Sequence, residues 1–262
     1  MPVSLDDILR RTRLDLEARR PFAADVARRA AVAAEPPGFL AALQRPTVAL
    51  IAEVKRRSPS AGVIRAELDP VAHATAYAGA GAAAISVLTD GPHFGGSLDD
   101  LAAVSASVPV PALRKDFVLD ALQVDEARAA GASAVLLIVR ALAPAELRRL
   151  LVATWEAGLE ALVEVHTADE IAVALDAGAR VVGVNSRDLD TFRIDTAAAW
   201  RLLDRIPAGV IAVAESGMAS LADAEAAAAA GADAVLIGTA LSSAADPSAL
   251  ARAVSGVARR GR

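Results

Sequence analysis

Four copies of a glycine-alanine element, each followed by a run of β-branched residues, constrain the fold of this chain more than any other feature. The copies read AGAGAAAISVL, AAGASAVLLIV, DAGARVVGVN and AAGADAVLIGT. Their marker glycines recur about every 50 residues: Gly81, Gly131, Gly178 and Gly231. Such self-similarity indicates a repeated supersecondary unit. Because one strand-helix-strand unit takes about 30 residues, each interval has room for two strand-helix pairs.

The other strands are predicted midway between these copies. Apolar segments lie at 48–54, 108–117, 159–165 and 209–215. Each of the eight predicted strands is followed by a helical pattern, and eight such units favour a closed (β/α)8 TIM barrel. A doubly wound open sheet is the alternative, but the regular alternation along the whole length favours closure.

Residues 1–262 are expected to form a single barrel domain, since barrels of this kind run to about 250 residues. The barrel itself is predicted from about residue 48. Residues 1–47 read as an N-terminal helical extension of one or two helices, broken by Pro21 and by Pro36-Pro37-Gly38. Such an extension is expected either to cap the bottom of the barrel or to pack near the rim of the active site.

The composition argues against several classes of protein. A net charge of −5 without a basic stripe gives little support to nucleic-acid binding. Cysteine is absent and the three histidines are scattered, which argues against disulfides and zinc sites. The N-terminus is charged from its start, and no apolar run is long enough to cross a membrane. We therefore expect a cytoplasmic protein, without a membrane partner, that is a monomer or a weak homo-oligomer.

Ionisable residues interrupt the odd-numbered predicted strands near their carboxyl ends. They are Glu53, Lys115, Glu164 and Glu215. Active-site groups of barrels project from this end of the strands, so the four side chains should converge. Buried charge is costly unless it is paired, and a structural salt-bridge cluster is one interpretation. A catalytic cluster explains better why the charges lie at the carboxyl ends of the strands, where barrel active sites are found.

Residues two positions apart on a strand share a face, which extends this cluster toward the barrel mouth. Lys55 follows Glu53, Phe117 follows Lys115, and Arg187 follows Asn185 in this way. An aromatic ring beside a lysine suggests a site that holds a flat apolar ring near a proton donor.

Two irregular loops are predicted beside the cluster. The loop at 55–64 contains Ser58 and Pro59, and the loop at 90–98 contains Phe94 among glycines, so Phe94 is expected to line a ligand pocket. His93 and His166 are expected to border the site without acting as its general base.

A phosphate site is predicted after the seventh and eighth strands. Gly217 follows one strand, and Gly238 and Thr239 follow the other. Barrels commonly bind phosphate with these two loops, where glycine lets backbone N–H groups approach the anion. Lys55 is the expected charged partner of the phosphate.

These residues lie in motifs that resemble those of the indole-3-glycerol-phosphate synthase family over nearly the whole chain. The resembling stretches are IAEVKRRSPSAG, LRKDF, LVEVHTADE, VGVNSRDL, AESGM and AVLIGTAL. The resemblance implies a cofactor-free, metal-free lyase of tryptophan biosynthesis. Its substrate would be 1-(2-carboxyphenylamino)-1-deoxyribulose 5-phosphate, a phosphosugar joined to anthranilate, and its products indole-3-glycerol phosphate, CO2 and water.

The same resemblance implies roles for individual residues. Lys115 resembles the general acid that protonates the substrate ketone, Glu164 the second acid/base and Glu53 a partner in the charge network. The remaining catalytic or orienting positions are Lys55, Asn185, Glu215 and Ser216. Ser58, Pro59, Phe94, Phe117 and Arg187 match substrate-binding positions, and Lys55, Gly217, Gly238 and Thr239 match the phosphate cradle.

Some positions depart from the usual family pattern, and other functions stay open. Ser186 stands where many members have a second Asn, and Thr239 where Glu or Ser is common. The alternatives are another phosphosugar barrel isomerase, a class I aldolase with Lys115 as its Schiff base, and a non-catalytic barrel. The Lys and Glu residues of the strands argue against the isomerase, which typically wants a Cys or Asp pair. The intact acid/base set argues against the non-catalytic barrel.

Overall fold

Eight parallel strands form a closed barrel in the structure, a computed structural model that describes residues 4–261. In chain order the strands are β1 (Ala49–Val54), β2 (Ala84–Leu88), β3 (Ala112–Lys115), β4 (Ala134–Ile138), β5 (Glu160–Val165), β6 (Val181–Asn185), β7 (Ile211–Glu215) and β8 (Ala234–Ile237). Each strand pairs with the next, and β8 pairs with β1. This closure confirms the (β/α)8 fold and excludes the open sheet.

The observed strands lie within the predicted segments but are shorter at some ends. The largest difference is in the segment 108–117, where β3 begins only at Ala112. Pro109 and Pro111 precede it, and proline has no N–H to donate to a ladder. The chain therefore joins the barrel only after the second proline.

Helices alternate with the strands, and an additional set precedes β1. They are α1 (Leu5–Arg19), α2 (Ala23–Val32), α3 (Phe39–Leu43), α4 (Pro70–Gly79), α5 (Gly91–Phe94), α6 (Leu98–Ser107), α7 (Ala121–Ala129), α8 (Pro144–Glu156), α9 (Ala168–Asp176), α10 (Thr196–Leu203), α11 (Leu221–Ala229), α12 (Thr239–Ser243) and α13 (Pro247–Ser255). No helix within residues 4–261 has the length and apolar character of a membrane span.

The glycine-alanine repeat marks the end of a helix and the entry to the next strand. Gly81, Gly131, Gly178 and Gly231 all have positive φ, between +79° and +100°. A left-handed residue after the last turn is a common way for a helix to end, and glycine adopts it without steric cost. The repeat thus records four equivalent helix-to-strand turns.

The buried apolar side chains form two main layers. The larger cluster lies between the barrel and its helices and includes Leu50, Val135 and Val163. The second cluster fills the barrel with alternate residues of the same strands, such as Ile51 and Leu162. This alternation follows from the period of two along a strand, and it leaves the carboxyl ends free for polar side chains.

The N-terminal extension contacts both ends of the barrel. Leu5 and Ile8 of α1 join the interior cluster from the mouth, whereas Phe39 and Leu43 of α3 join it beside Ala49 at the start of β1. Both positions considered from the sequence are therefore occupied, one by each end of the extension.

A buried ion network joins the extension to the strand that carries Lys115. Arg114 is 1% exposed and points away from the barrel interior, because it alternates with Lys115. Its guanidinium lies 3.1 Å from Glu126 on α7 and 2.9 Å from Asp116. Glu126 also accepts hydrogen bonds from Arg19 at the end of α1. The network fixes α1 against the third strand-helix unit.

Candidate active site

Four ionisable side chains meet at the mouth of the barrel, one from each of β1, β3, β5 and β7. Glu53 and Glu164 are the penultimate residues of their strands, and Lys115 and Glu215 are the last residues of theirs. The three carboxylates are each at most 2% exposed. The odd strands of a barrel contribute side chains to a common layer, which explains the convergence.

Lys115 lies between two of these carboxylates. Its Nζ is 3.5 Å from Oε2 of Glu164 and 3.9 Å from Oε2 of Glu215. Glu53 pairs instead with Lys55, whose Nζ is 2.5 Å from Oε1. Lys55 and Lys115 are the only two lysines in the sequence. All the lysine ammonium groups of the protein are therefore in this site.

Burial and charge set different protonation states for the four groups. Burial lowers the pKa of Lys115, but the charges of Glu164, Glu215 and Glu53 outweigh this effect and raise the pKa above its usual value. Burial raises the pKa of Glu53 and Glu164, but nearby cations bring both below the ordinary value; the foremost cation is Lys55 for Glu53 and Lys115 for Glu164. Lys115 is thus a proton donor that faces an ionised acceptor.

Glu215 differs from the other two carboxyl groups. Burial and the charge of Glu164 raise its pKa well above the ordinary value, and Lys115 offsets this only in part. Two carboxylates that share one cation cannot both ionise easily, so the proton stays on Glu215, which lies farther from Lys115 Nζ than Glu164 does. The cluster therefore contains ionised and neutral carboxyl groups side by side.

The cluster forms the floor of a cavity with about 870 Å³ of free space, part of it open to solvent. One side is apolar, with Phe94 and Phe117 tilted at 41° and their ring centroids 6.4 Å apart. Leu136 and Ile138 continue this wall from β4. The arrangement suits a ligand with one flat apolar end and one charged end.

The rim of the cavity comes from three further parts of the chain. Helix α1 begins with a capping box at Ser4, and Leu5 and Ile8 of its first turns line the cavity. Arg187, after β6, donates to Ser60 Oγ at 3.2 Å and so joins the loop after β1 to the loop after β6. Leu189 and Phe192 complete this side.

Comparison with known proteins shows that about half of the aligned residues are identical to those of curated relatives. A family model described as indole-3-glycerol phosphate synthase matches residues 5–254. A protein of that name from Mycobacteroides abscessus is 51% identical over 93% of this chain and 90% of its own length. Indole-3-glycerol phosphate synthase 2 from Streptomyces coelicolor is 54% identical over 82% and 84%. The chain belongs to the indole-3-glycerol phosphate synthase family.

Solved structures support the fold of this family member. A 3-hexulose-6-phosphate synthase matches with a TM-score of 0.66 and 19% identity, over 80% of this chain and all of the other. The enzyme of the same name from Salmonella typhimurium matches with a TM-score of 0.62 and 18% identity, over 79% and 97%. At these identities the likeness concerns the barrel alone.

Most residues predicted for the site of an indole-3-glycerol phosphate synthase line the cavity. They are Glu53, Lys55, Ser58, Pro59, Phe94, Lys115, Phe117, Glu164, Asn185, Arg187, Ser216 and Thr239. Glu215 lies beside them as the buried neighbour of Lys115. Gly217 and Gly238 lie outside the lining: Gly217 packs against Thr196, and Gly238 packs against Glu53 and Lys55.

Sequence reasoning on this family member missed several residues that shape the site. Ser242 on α12 accepts a hydrogen bond from Lys55 N at 3.2 Å and donates one to the Glu53 carbonyl at 3.1 Å, so it fixes the end of β1. Ile8 was missed because residues 1–47 gave no sign of which of their faces meets the barrel. No local signal pointed to Ser242, because Thr239, Ser242 and Ser243 are all polar in this segment and only the fold brings Ser242 to β1.

Proposed function

We propose that this protein converts 1-(2-carboxyphenylamino)-1-deoxyribulose 5-phosphate into indole-3-glycerol phosphate, with release of CO2 and water. The observation that carries the proposal is the position of Lys115, protonated between carboxylates and facing an aromatic wall. Family membership supports a decarboxylating lyase, and the charged groups of the site are the acid and the base that such a reaction needs.

Ring closure begins with attack of an aromatic carbon on the ketone of the sugar chain. Lys115 gives a proton to the ketone oxygen, which becomes a hydroxyl group as the new carbon–carbon bond forms. The carboxyl group of the attacking carbon leaves as CO2, and its electron pair restores the aromatic ring. No metal or organic cofactor takes part, because each of these steps moves only a proton or the substrate's own electrons.

Dehydration completes the indole ring. The hydroxyl group takes up a second proton and leaves as water, while a base removes a proton from the substrate to form the new double bond. Lys115 regains a proton from solvent after ring closure. Glu164 is ionised and its Oε2 is 3.5 Å from Lys115 Nζ, so this pair then has the acceptor and the donor that the step needs. Glu215, with its raised pKa, is a neutral hydrogen-bond donor beside them.

The substrate is held at its two ends in this proposal. Phe94 and Phe117 contact the anthranilate ring, with Ser58 and Pro59 at its edge. Lys55 and Thr239 hold the phosphate; Gly217 and Gly238 each adjoin a lining residue, Ser216 and Thr239, and complete the cradle with their backbone. Ser216, Asn185 and Arg187 orient the chain between the ends. Holding both ends brings the ring carbon to the ketone, and orientation of this kind can lower a barrier by about 7–11 kcal/mol in favourable cases.

The charge of the proposed substrate bears on the location of the enzyme. A phosphorylated substrate does not cross a membrane unaided, so we propose that the protein is cytoplasmic. We also propose that it is a monomer or weak homo-oligomer without a nucleic-acid partner.

The experiment is an assay of purified protein with the carboxyphenylamino deoxyribulose phosphate and a metal chelator, followed by indole fluorescence. Steady formation of indole-3-glycerol phosphate is expected. Lys115→Ala should abolish turnover and still bind substrate, whereas Arg28→Ala, which removes an exposed cation far from the site, should behave as wild type. Absence of product from the unaltered protein would contradict the proposed function. Near-normal turnover of Lys115→Ala would refute the role of that residue alone.

The aldolase alternative has its own outcome. Borohydride treatment with a ketose phosphate would trap a covalent adduct if Lys115 formed a Schiff base. The raised pKa of Lys115 disfavours this reaction, because a protonated amine is not a nucleophile. No adduct is expected.

A further inference from the structure

His166 lies behind the site, in contact with two carboxylates. It directly follows β5, two residues after Glu164, and its side chain is 9% exposed. Its Nε2 is 3.8 Å from Oε1 of Glu164, and its Nδ1 is 3.6 Å from Oε2 of Glu170 on α9. The imidazole therefore bridges a proposed catalytic carboxylate and a carboxylate of the surrounding helices.

Three buried polar atoms at this point have no hydrogen-bond partner among the described residues. They are both ring nitrogens of His166 and Oε1 of Glu164. Unsatisfied buried polar atoms are costly, and here donors and acceptors lie just beyond hydrogen-bond range of each other. A doubly protonated imidazole has one N–H for each carboxylate, and movements of a few tenths of an ångström would complete both bonds.

Glu170 is held in place independently of the ring. Its Oε2 accepts a hydrogen bond from the backbone N–H of His166 at 2.6 Å. Its own backbone N–H donates to Thr167 Oγ1 at 3.2 Å, at the start of α9. The carboxylate is thus fixed by the backbone and is ready to pair with the ring above it.

We propose that His166 is a positioning residue that, as an imidazolium between Glu170 and Glu164, orients the Glu164 carboxylate toward Lys115 and keeps it ionised. The inference rests on the proposed function, because it assigns His166 to the proton acceptor of that reaction. His166 does not line the cavity, so it acts on the substrate only through Glu164.

The charges around the ring agree with this role. Burial lowers the pKa of His166, but the close approach and charge of Glu170, together with the charge of Glu164, raise the pKa above the ordinary value. The opposing cation is Arg140, in the turn after β4, and it is itself paired with Asp188 and Asp190. Two anions and one neutralised cation therefore face the imidazole.

The first test is a proton NMR titration of the whole protein, which contains only three histidines. The ring signal that disappears in His166→Gln identifies this residue, and we expect it to titrate above pH 6.5, the ordinary histidine value. In Glu170→Gln the titration should move down by roughly 1 pH unit, because one carboxylate partner loses its charge. The glutamine still accepts the backbone bond from His166, so the fold is kept.

Titration of His166 at or below pH 6.5, or no change in Glu170→Gln, would overturn the proposal. This measurement needs no substrate, so it gives an answer even if the lyase assay fails. Failure of the proposed function and failure of the inference are therefore separate results.

The second test is the pH dependence of kcat. In His166→Gln the acidic limb should move to higher pH by roughly 1 unit, because Glu164 loses a cation at its back, while KM stays unchanged. Glu170→Gln should shift the limb in the same direction, and the double variant should shift it no further than His166→Gln. His73→Gln on α4 is the matched control and should leave the profile unchanged. An unmoved limb in both single variants would refute the positioning role.

Discussion

A Cβ atom built on Gly183 would overlap Oε1 of Glu215. Gly183 is in the middle of β6, and Glu215 ends the neighbouring strand β7. The carboxyl group thus occupies the space that a side chain at position 183 would take. Gly183→Ala should displace Glu215 and lower kcat by about 10²-fold, the size of effect that a 1 Å misplacement produces.

Gly209→Ala is the matched control for this substitution. Position 209 precedes β7, and a Cβ there meets no atom within 4 Å. Its kcat should equal that of the unaltered protein in the indole fluorescence assay. Equal activity of the two variants would show that the position of Glu215 does not matter for turnover.

The raised pKa of Glu215 makes a prediction about stability and pH. The unfolded chain ionises this carboxyl near its ordinary pKa of 4.5, while the folded protein keeps the proton. Because the folded state then binds more protons, stability is fully present below that pH and falls as the pH rises toward the folded pKa. Glu215→Gln, which mimics the protonated group, removes this loss.

Urea unfolding of both proteins at several pH values between about 5 and 8 measures the effect. The free energy of unfolding of the unaltered protein should fall relative to that of Glu215→Gln, by up to about 1.4 kcal/mol per pH unit. The contribution of His166 is common to both proteins and cancels. Parallel curves would contradict a protonated Glu215.

The network around Arg114 predicts unequal effects for its two outer partners. Glu126→Ala leaves the buried guanidinium without one of its carboxylates and should lower the free energy of unfolding by about 3–5 kcal/mol. Arg19→Ala removes a cation that is one-third exposed, and it should cost about 1 kcal/mol or less. Urea unfolding at one pH compares them, and similar losses would show that the network is not centred on Arg114.

The contact of α1 with the cavity predicts an effect on substrate affinity. Ile8 is buried and lines the cavity, whereas Leu14 on the same helix is 63% exposed. Ile8→Ala removes roughly 1 kcal/mol of apolar contact and should raise KM about five-fold. Leu14→Ala should leave KM unchanged. A raised KM in both variants, or in neither, would argue against α1 as part of the binding site.

The repeat and the strand period account for what the sequence could predict. Gly81 and its three equivalents located the helix-to-strand turns, and the alternation of strand faces then brought Glu53, Lys115 and Glu164 to one end of the barrel. Both signals are local, because they depend only on neighbours within a strand or a turn. The barrel and its charged floor were therefore predictable from the sequence.

The remaining features depend on contacts between distant segments. Arg19 meets Glu126 across 107 positions, and Ser242 meets the end of β1 across more than 180. The Glu215 side chain has space because Gly183, on the neighbouring strand, has no side chain. A single sequence does not show that these two positions are neighbours. His166 was expected only to border the site, since its second partner, Glu170, lies in the following helix.

The placement of both lysines in the barrel mouth gives the protein an unusual chemical surface. Arginine supplies every other cationic side chain apart from histidine, and both lysine side chains are less than one-fifth exposed. Amine-directed acylation or glycation of a side chain can then occur only inside this cavity. A ligand that fills the cavity would shield both lysines, so their acylation would report whether the cavity is occupied.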